Sequence, residues 1–188
     1  LFSEGTFNAA FVPSYSSELM KGKIKSNSFA VEVFNLLFLI LLILILVVQI
    51  FMPLFVSLIA PGFIDDTEKM NLAIQLTRIT FPFLMLVSLA SFFSAILNSH
   101  NRFAEAAAAP IILNIVLIII LLFGKALNDS LIYYLSYGVT FAGLLQLIFL
   151  YFFVKKHFKL KFHIKLKISS KVEIFFTKLL LTVSSLVV

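Results

Sequence analysis

Cysteine is absent from this 188-residue chain, so it can form neither a disulfide nor a thiolate-held metal centre. Charge is scarce: Asp, Glu, Lys and Arg make up 13% of the residues, against about 25% in a typical soluble domain. Motifs of catalysis are missing as well. There is no HExxH, no phosphate-binding loop and no serine–histidine–aspartate set. The three histidines (His100, His157 and His163) have no ligand-like spacing and fall near expected membrane surfaces. A cofactor, a metal site and an enzymatic role are therefore not expected.

Apolar residues are present in excess. They reach 61% of the chain, with a mean hydropathy of +1.09, more than a water-soluble core of this size can hold. Some of that surface must face lipid. The net charge of +6 is unevenly placed, with seven of the fifteen Lys/Arg residues between Lys155 and Lys171. Cations that flank apolar runs point to a membrane surface rather than to nucleic acid.

A helix needs about 20 apolar residues to cross roughly 30 Å of hydrocarbon. Four charge-free stretches meet that need: Val33 to Ile64, Ile79 to Ser99, Ala106 to Gly124 and Ser130 to Val154. A further run begins near Val172, and the opening segment to about Met20 reads as the end of another helix. None shows the polar–apolar alternation of a membrane barrel. The fold class expected is an all-α, polytopic transmembrane bundle. Its parts are a bundle over 1–154, a lysine-rich linker over 155–171 that is either a short strand, an interfacial segment or a tether, and the start of a next helix over 172–188. Leu1 follows no basic start and the chain stops within an apolar run, so it reads as an internal fragment.

Loop charge sets orientation. Lys/Arg residues number three in "KGKIKSN" and seven in the last linker, but one each in "APGFIDDTEK", "NSHNRFAE" and "GKALND". The two strong loops share a side if four helices separate them, which the hydropathy agrees with. The first, third and fifth loops are expected in the cytoplasm.

Ionisable groups in lipid cost at least about 2.5 kcal/mol, so they face protein or water. Glu4, Asn8, Phe11, Tyr15 and Glu18 recur at helical spacing on one face. That face either lines a hydrated groove or forms a packed contact between helices. Arg78 stands about 18 Å along a helix that starts near Asp66. It either meets an anionic substrate or snorkels to the outer interface. Asn35, Gln49, Asn98, Asn114 and Gln146 are expected to hydrogen-bond between helices, and "SLASFFSA" and "YGVTFAG" to allow close approach. Pro82 lies deep in a long helix and is either a hinge or a static kink.

Several of these stretches also resemble a known family. "LFSEGTFNAAFVP", "APGF" (Ala60 to Phe63), "TRITFPFLMLVSLASFFSAILNSHNRF" (Thr77 to Phe103), Pro110 with Leu113 and Asn114, and "AGLLQL" (Ala142 to Leu147) are similar, in order and spacing, to segments of the MurJ/MviN lipid II flippases. The resemblance covers nearly the whole chain. It implies part of the N-terminal lobe of a fourteen-helix transporter of the MOP exporter superfamily, from late in the second helix to early in the seventh. It implies that Glu4 is the family's cavity glutamate with Gly5 beside it, and it makes Asn8 and Arg78 further candidates for the cavity. The paired arginines, the first helix and the second lobe would lie in missing parts of the same chain. The implied cargo is lipid II, the undecaprenyl-pyrophosphate-linked peptidoglycan precursor, moved by alternating access across the bacterial inner membrane. Other partners are membrane lipids. Two alternatives stand beside this reading: another superfamily exporter of lipid-linked oligosaccharide or drugs, and a non-transport membrane assembly protein or enzyme.

Overall fold

A computed structural model describes residues 7–124, 131–158, 169 and 172–177. Helix α1 covers Phe7–Met20, α2 Lys23–Ile50, α3 Met52–Ile59, α4 Thr67–Thr80, α5 Pro82–Ser99, α6 Phe103–Phe123 and α7 Leu131–Phe158. A 3₁₀ turn, Pro61–Phe63, joins α3 to α4, and residues 172–177 are helical. No strand occurs among the described residues, so the all-α bundle is as expected. Four spans are long and apolar enough to cross a membrane: Lys23–Ile50, Thr67–Ser99, Phe103–Phe123 and Leu131–Phe158. α7 runs past the expected boundary at residue 154 and ends at Phe158. Apart from Ser169, the rest of the lysine-rich linker lies outside the described residues.

The turns follow from local chemistry. α5 ends in a Schellman motif: Arg102 N–H donates to Leu97 O at 2.9 Å and Asn101 N–H to Asn98 O at 3.0 Å. Asn101 takes the left-handed φ of 61° that this motif needs, and asparagine accepts that conformation readily. α4 starts on Asp66, whose carboxylate accepts from Lys69 N–H at 3.1 Å and pairs with Lys69 Nζ at 2.7 Å. Those contacts hold the Asp66 carboxyl below its usual range, the Lys69 side chain more than the backbone.

Lipid gives apolar helices little reason to associate, so packing and close approach decide the fold. α5 supplies the centre, with eight buried residues from Leu89 to Leu97. α7 lies against it at Gly143, where a Cβ would stand 2.6 Å from the Phe83 ring and 3.2 Å from Leu86 Cβ. α6 is the opposite case. Pro110 sits inside it, and Ile111, Ile115, Ile118, Ile119 and Leu122 are exposed at a spacing of three and four, as a lipid-facing stripe would be.

The charged residues divide by end. Tyr15 at the end of α1, His100 after α5 and Phe158 at the end of α7 meet directly, so the first, third and fifth connections gather at one end. That end carries Lys21, Lys23, Lys25, Arg102, Lys155 and Lys156. The other carries Asp65, Asp66 and Glu68 against Lys69 and Arg78. Helix lengths between polar markers agree across the bundle. Lys25 to Gln49 spans about 36 Å, Arg78 to His100 about 33 Å and Tyr133 to Lys155 about 33 Å of helix. Each is close to the hydrocarbon thickness of roughly 30 Å. Tyr134 and Tyr137, exposed at the level of Gln49 and Arg78, suit an interfacial aromatic belt.

Candidate functional site

Glu4 and Gly5 lie outside the described residues. The described residues that follow them belong to α1. Phe7, Phe11, Tyr15 and Glu18 are buried, and the first three stack at 5.3 and 5.5 Å between ring centroids. Phe11 also meets Phe29, Phe92 and Phe175. In this stretch the face is a packed aromatic contact rather than the wall of a groove. Asn8 is only partly buried, yet its Oδ1 has no hydrogen-bond partner among the described residues. A shielded acceptor without a donor is costly, so Asn8 is the described residue of α1 that most needs a further partner.

The adjoining side of α1 carries small and polar residues. Pro13, Ser14, Ser17, Glu18 and Lys21, with Phe29 and Ile174, line a cavity of about 390 Å³ at the basic end. Lys21 Nζ bonds Glu18 Oε1 at 2.7 Å at its mouth. Next to it His100 fastens three helices. Its Nε2 lies 3.2 Å from Tyr15 Oη, its ring stacks on Phe158 at 4.0 Å, and Arg102 pairs with Glu105 just beyond. Burial, and then the nearby Lys23, push the His100 imidazole below its ordinary value, so it is neutral at pH 7.

Pro82 lies within the long Thr67–Ser99 span, at a local interruption where Phe81 keeps right-handed helical dihedrals and its N–H still bonds Thr77 O at 2.8 Å. α4 stops at Thr80, Phe81 forms the turn, and Pro82 opens α5. Proline has no N–H, so the carbonyl four residues earlier, Arg78 O, loses its helical donor. Gln49 Nε2 from α2 takes that place at 2.8 Å. One residue on, Ile79 O accepts from Thr140 Oγ1 of α7 at 2.6 Å. A turn earlier Tyr133 Oη donates to Gln75 Oε1 at 2.8 Å. Neighbouring helices thus re-satisfy the backbone that the proline disrupts, as apolar surroundings require. The Arg78 side chain itself is exposed, at the boundary level opposite the basic end.

Of the residues singled out in the sequence, Gln49 does bond between helices, and Arg78 and Pro82 come together with it. Asn8 is remote from them, on α1. Thr140 and His100 were not expected to act. A hydroxyl in an apolar run and a histidine in a turn carry no local signal of a distant partner. No group of three or more potential metal-binding side chains occurs among the described residues.

The family described as lipid II flippase MurJ matches residues 1–188. The chain is similar to a probable lipid II flippase MurJ of Rhizobium tropici, 44% identical over 160 residues, which is 82% of this chain and 30% of that protein. It is similar to that of Rickettsia prowazekii at 40% over 157 residues, 83% of this chain and 31% of the relative. With that of Helicobacter pylori it shares 32% over 150 residues, 79% and 31% of the two lengths. The chain spans about three-tenths of the length of these curated relatives.

Proposed function

We propose, from the premise that this chain belongs to the MurJ lipid II flippase family, that it forms part of a membrane transporter for the undecaprenyl-pyrophosphate-linked peptidoglycan precursor. The observation that carries the reading is the family match over residues 1–188, shared with relatives named as probable lipid II flippases. A flippase moves its cargo without converting it, which agrees with a chain free of catalytic motifs. Cargo passes by alternating access of two lobes, of which this chain contributes helices of the first. The site is the bacterial inner membrane, with the basic end in the cytoplasm by the positive-inside rule.

The physical demand on such a site is a hydrated path for a pyrophosphate through a low-dielectric slab, with fixed cations along it. Glu4 and Gly5 are assigned to that path by the family likeness. The Asn8 Oδ1, without a hydrogen-bond partner among the described residues and four residues after Glu4 in the sequence, supports a polar route beside the first turn of α1. Arg78 is the candidate cation at the far boundary, its side chain open at that level.

The test is complementation in cells depleted of the native flippase. Glu4→Ala in the full-length protein is expected to insert normally in the membrane yet fail to restore growth. Full growth with that variant removes Glu4 from the path. Export of another cargo with no effect on the lipid-linked precursor favours the exporter alternative instead.

A further inference from the structure

Two helix breaks lie side by side at the level of Gln49 and Arg78. α2 gives way to α3 at Phe51, with Pro53 near the start of α3. α4 gives way to α5 at Phe81, with Pro82 at the start of α5. The two breaks touch: the rings of Phe55 and Phe81 meet edge to face at 5.5 Å. Their chemistry is linked too. Pro53 deprives the Gln49 carbonyl of its helical donor, Pro82 does the same to Arg78, and the Gln49 side chain caps the Arg78 carbonyl.

Between the breaks, residues 52–80 form a helical hairpin of α3, the 3₁₀ turn and α4. Inside it the contacts are apolar. Val56 is buried in a cluster with Phe55, Met70, Ala73 and Ile74, which continues through Met52 and Phe81 at the two breaks and onto Ile45 and Val48 of α2. Toward the bundle the seam is different. α4 has no buried residue, and three hydrogen bonds fasten it to α2 and α7. The apolar contact with α2 lies beside the two breaks, where a pivot keeps it, and on the α7 side the hydrogen bonds can open, because water at the membrane boundary can satisfy what is released.

We propose that residues 52–80 are a flap that swings as a rigid body about Phe51 and Phe81, and that Gln49 and Thr140 are its latch. The flap is a property of this fold alone. Its use as the closure of a cargo route at the acidic end rests on the function proposed above, and the experiment does not measure transport, so either can fail without the other.

Spin-label pairs in the full-length protein in lipid nanodiscs test it. One pair, Glu68 and Tyr134, crosses the seam. A second, Leu58 and Glu68, lies within the flap. A third, Lys25 and Lys156, reports on the basic end. Gln49→Leu and Thr140→Val, made singly, are expected to broaden the first distance or lengthen it by about one helical turn, roughly 5 Å, and to leave the other two unchanged. Thr140→Ser keeps the hydroxyl and should keep the native distance. Pro82→Ala returns an N–H to the Arg78 carbonyl, so in that background Gln49→Leu should have no effect. An unmoved Glu68–Tyr134 distance in both single variants overturns the proposal. So does a change within the Leu58–Glu68 pair, which would mean that the hairpin unravels instead of swinging. If one variant disturbs the Lys25–Lys156 distance, it has lost the bundle, and the other variant decides.

Discussion

At the basic end Phe11 is fully buried among five aromatic rings, while at the acidic end α4 buries no residue and three hydrogen bonds join it to the bundle. The two ends are made of the same apolar sequence but are held differently. Ring against ring gains dispersion over a wide area and tolerates no water. A hydrogen bond at a membrane boundary is exchangeable, since water offers the same bond. The first arrangement fixes geometry; the second allows it to change.

If that contrast is real, substitutions at the two ends should behave unequally. Phe11→Ala deletes the ring on which Phe7, Tyr15 and Phe92 all rest. It should cost about 3 kcal/mol and lower the thermal unfolding midpoint sharply in detergent. A loss no greater than that of an exposed leucine such as Leu58 would mean that the ring cluster does not hold the basic end.

Acidification should act on the same end, more gently. His100 has its folded-state pKa depressed, by burial first and Lys23 second. The unfolded chain therefore takes up the proton sooner. Stability from this group is complete above the unfolded value of about 6.5 and is lost as pH falls through the lower folded value. Facing it are Tyr15 of α1, Lys23 of α2 and Phe158 of α7, with the His157 and Arg102–Glu105 groups nearby. An unfolding midpoint that drops between pH 7 and pH 5.5 is expected, and His100→Phe should flatten that slope. An equal slope in the variant would assign the effect to other groups.

The smallest change is expected at Arg78. Its backbone carbonyl carries the contact to Gln49, and its side chain is exposed. Arg78→Gln should shift stability by less than about 0.5 kcal/mol, read from thermal unfolding. A large loss would show that the guanidinium, and not the carbonyl alone, holds the flap.

Much of this architecture is legible in the residues. Runs of about 20 apolar residues have only one solution in a bilayer, so the four spans and the all-α fold follow directly. The gathering of the first, third and fifth connections at one end follows from their charge and from the even number of helices between them. Other features depend on contacts between distant residues. The spacing of Phe11 and Tyr15 places them on one face but cannot say whether it meets water or other rings; Phe92 and Phe175 decide that. Pro82 signals a disturbed helix, whereas the donors that meet the carbonyls before it come from Gln49 of α2 and Thr140 of α7. Glu4 and Gly5, the residues on which the family likeness bears most directly, lie outside the described structure.

Thr140 has one last consequence. Ser88, Ser99 and Ser136 each return their hydroxyl proton to the carbonyl a turn back in their own helix. Thr140 sends its proton across to Ile79 instead. A change of χ1 rotamer would bring it home to Ser136 O, the fallback acceptor open to any helical threonine. Letting go of α4 therefore strands no proton donor in oil, and the two settings of this hydroxyl are close to an even trade.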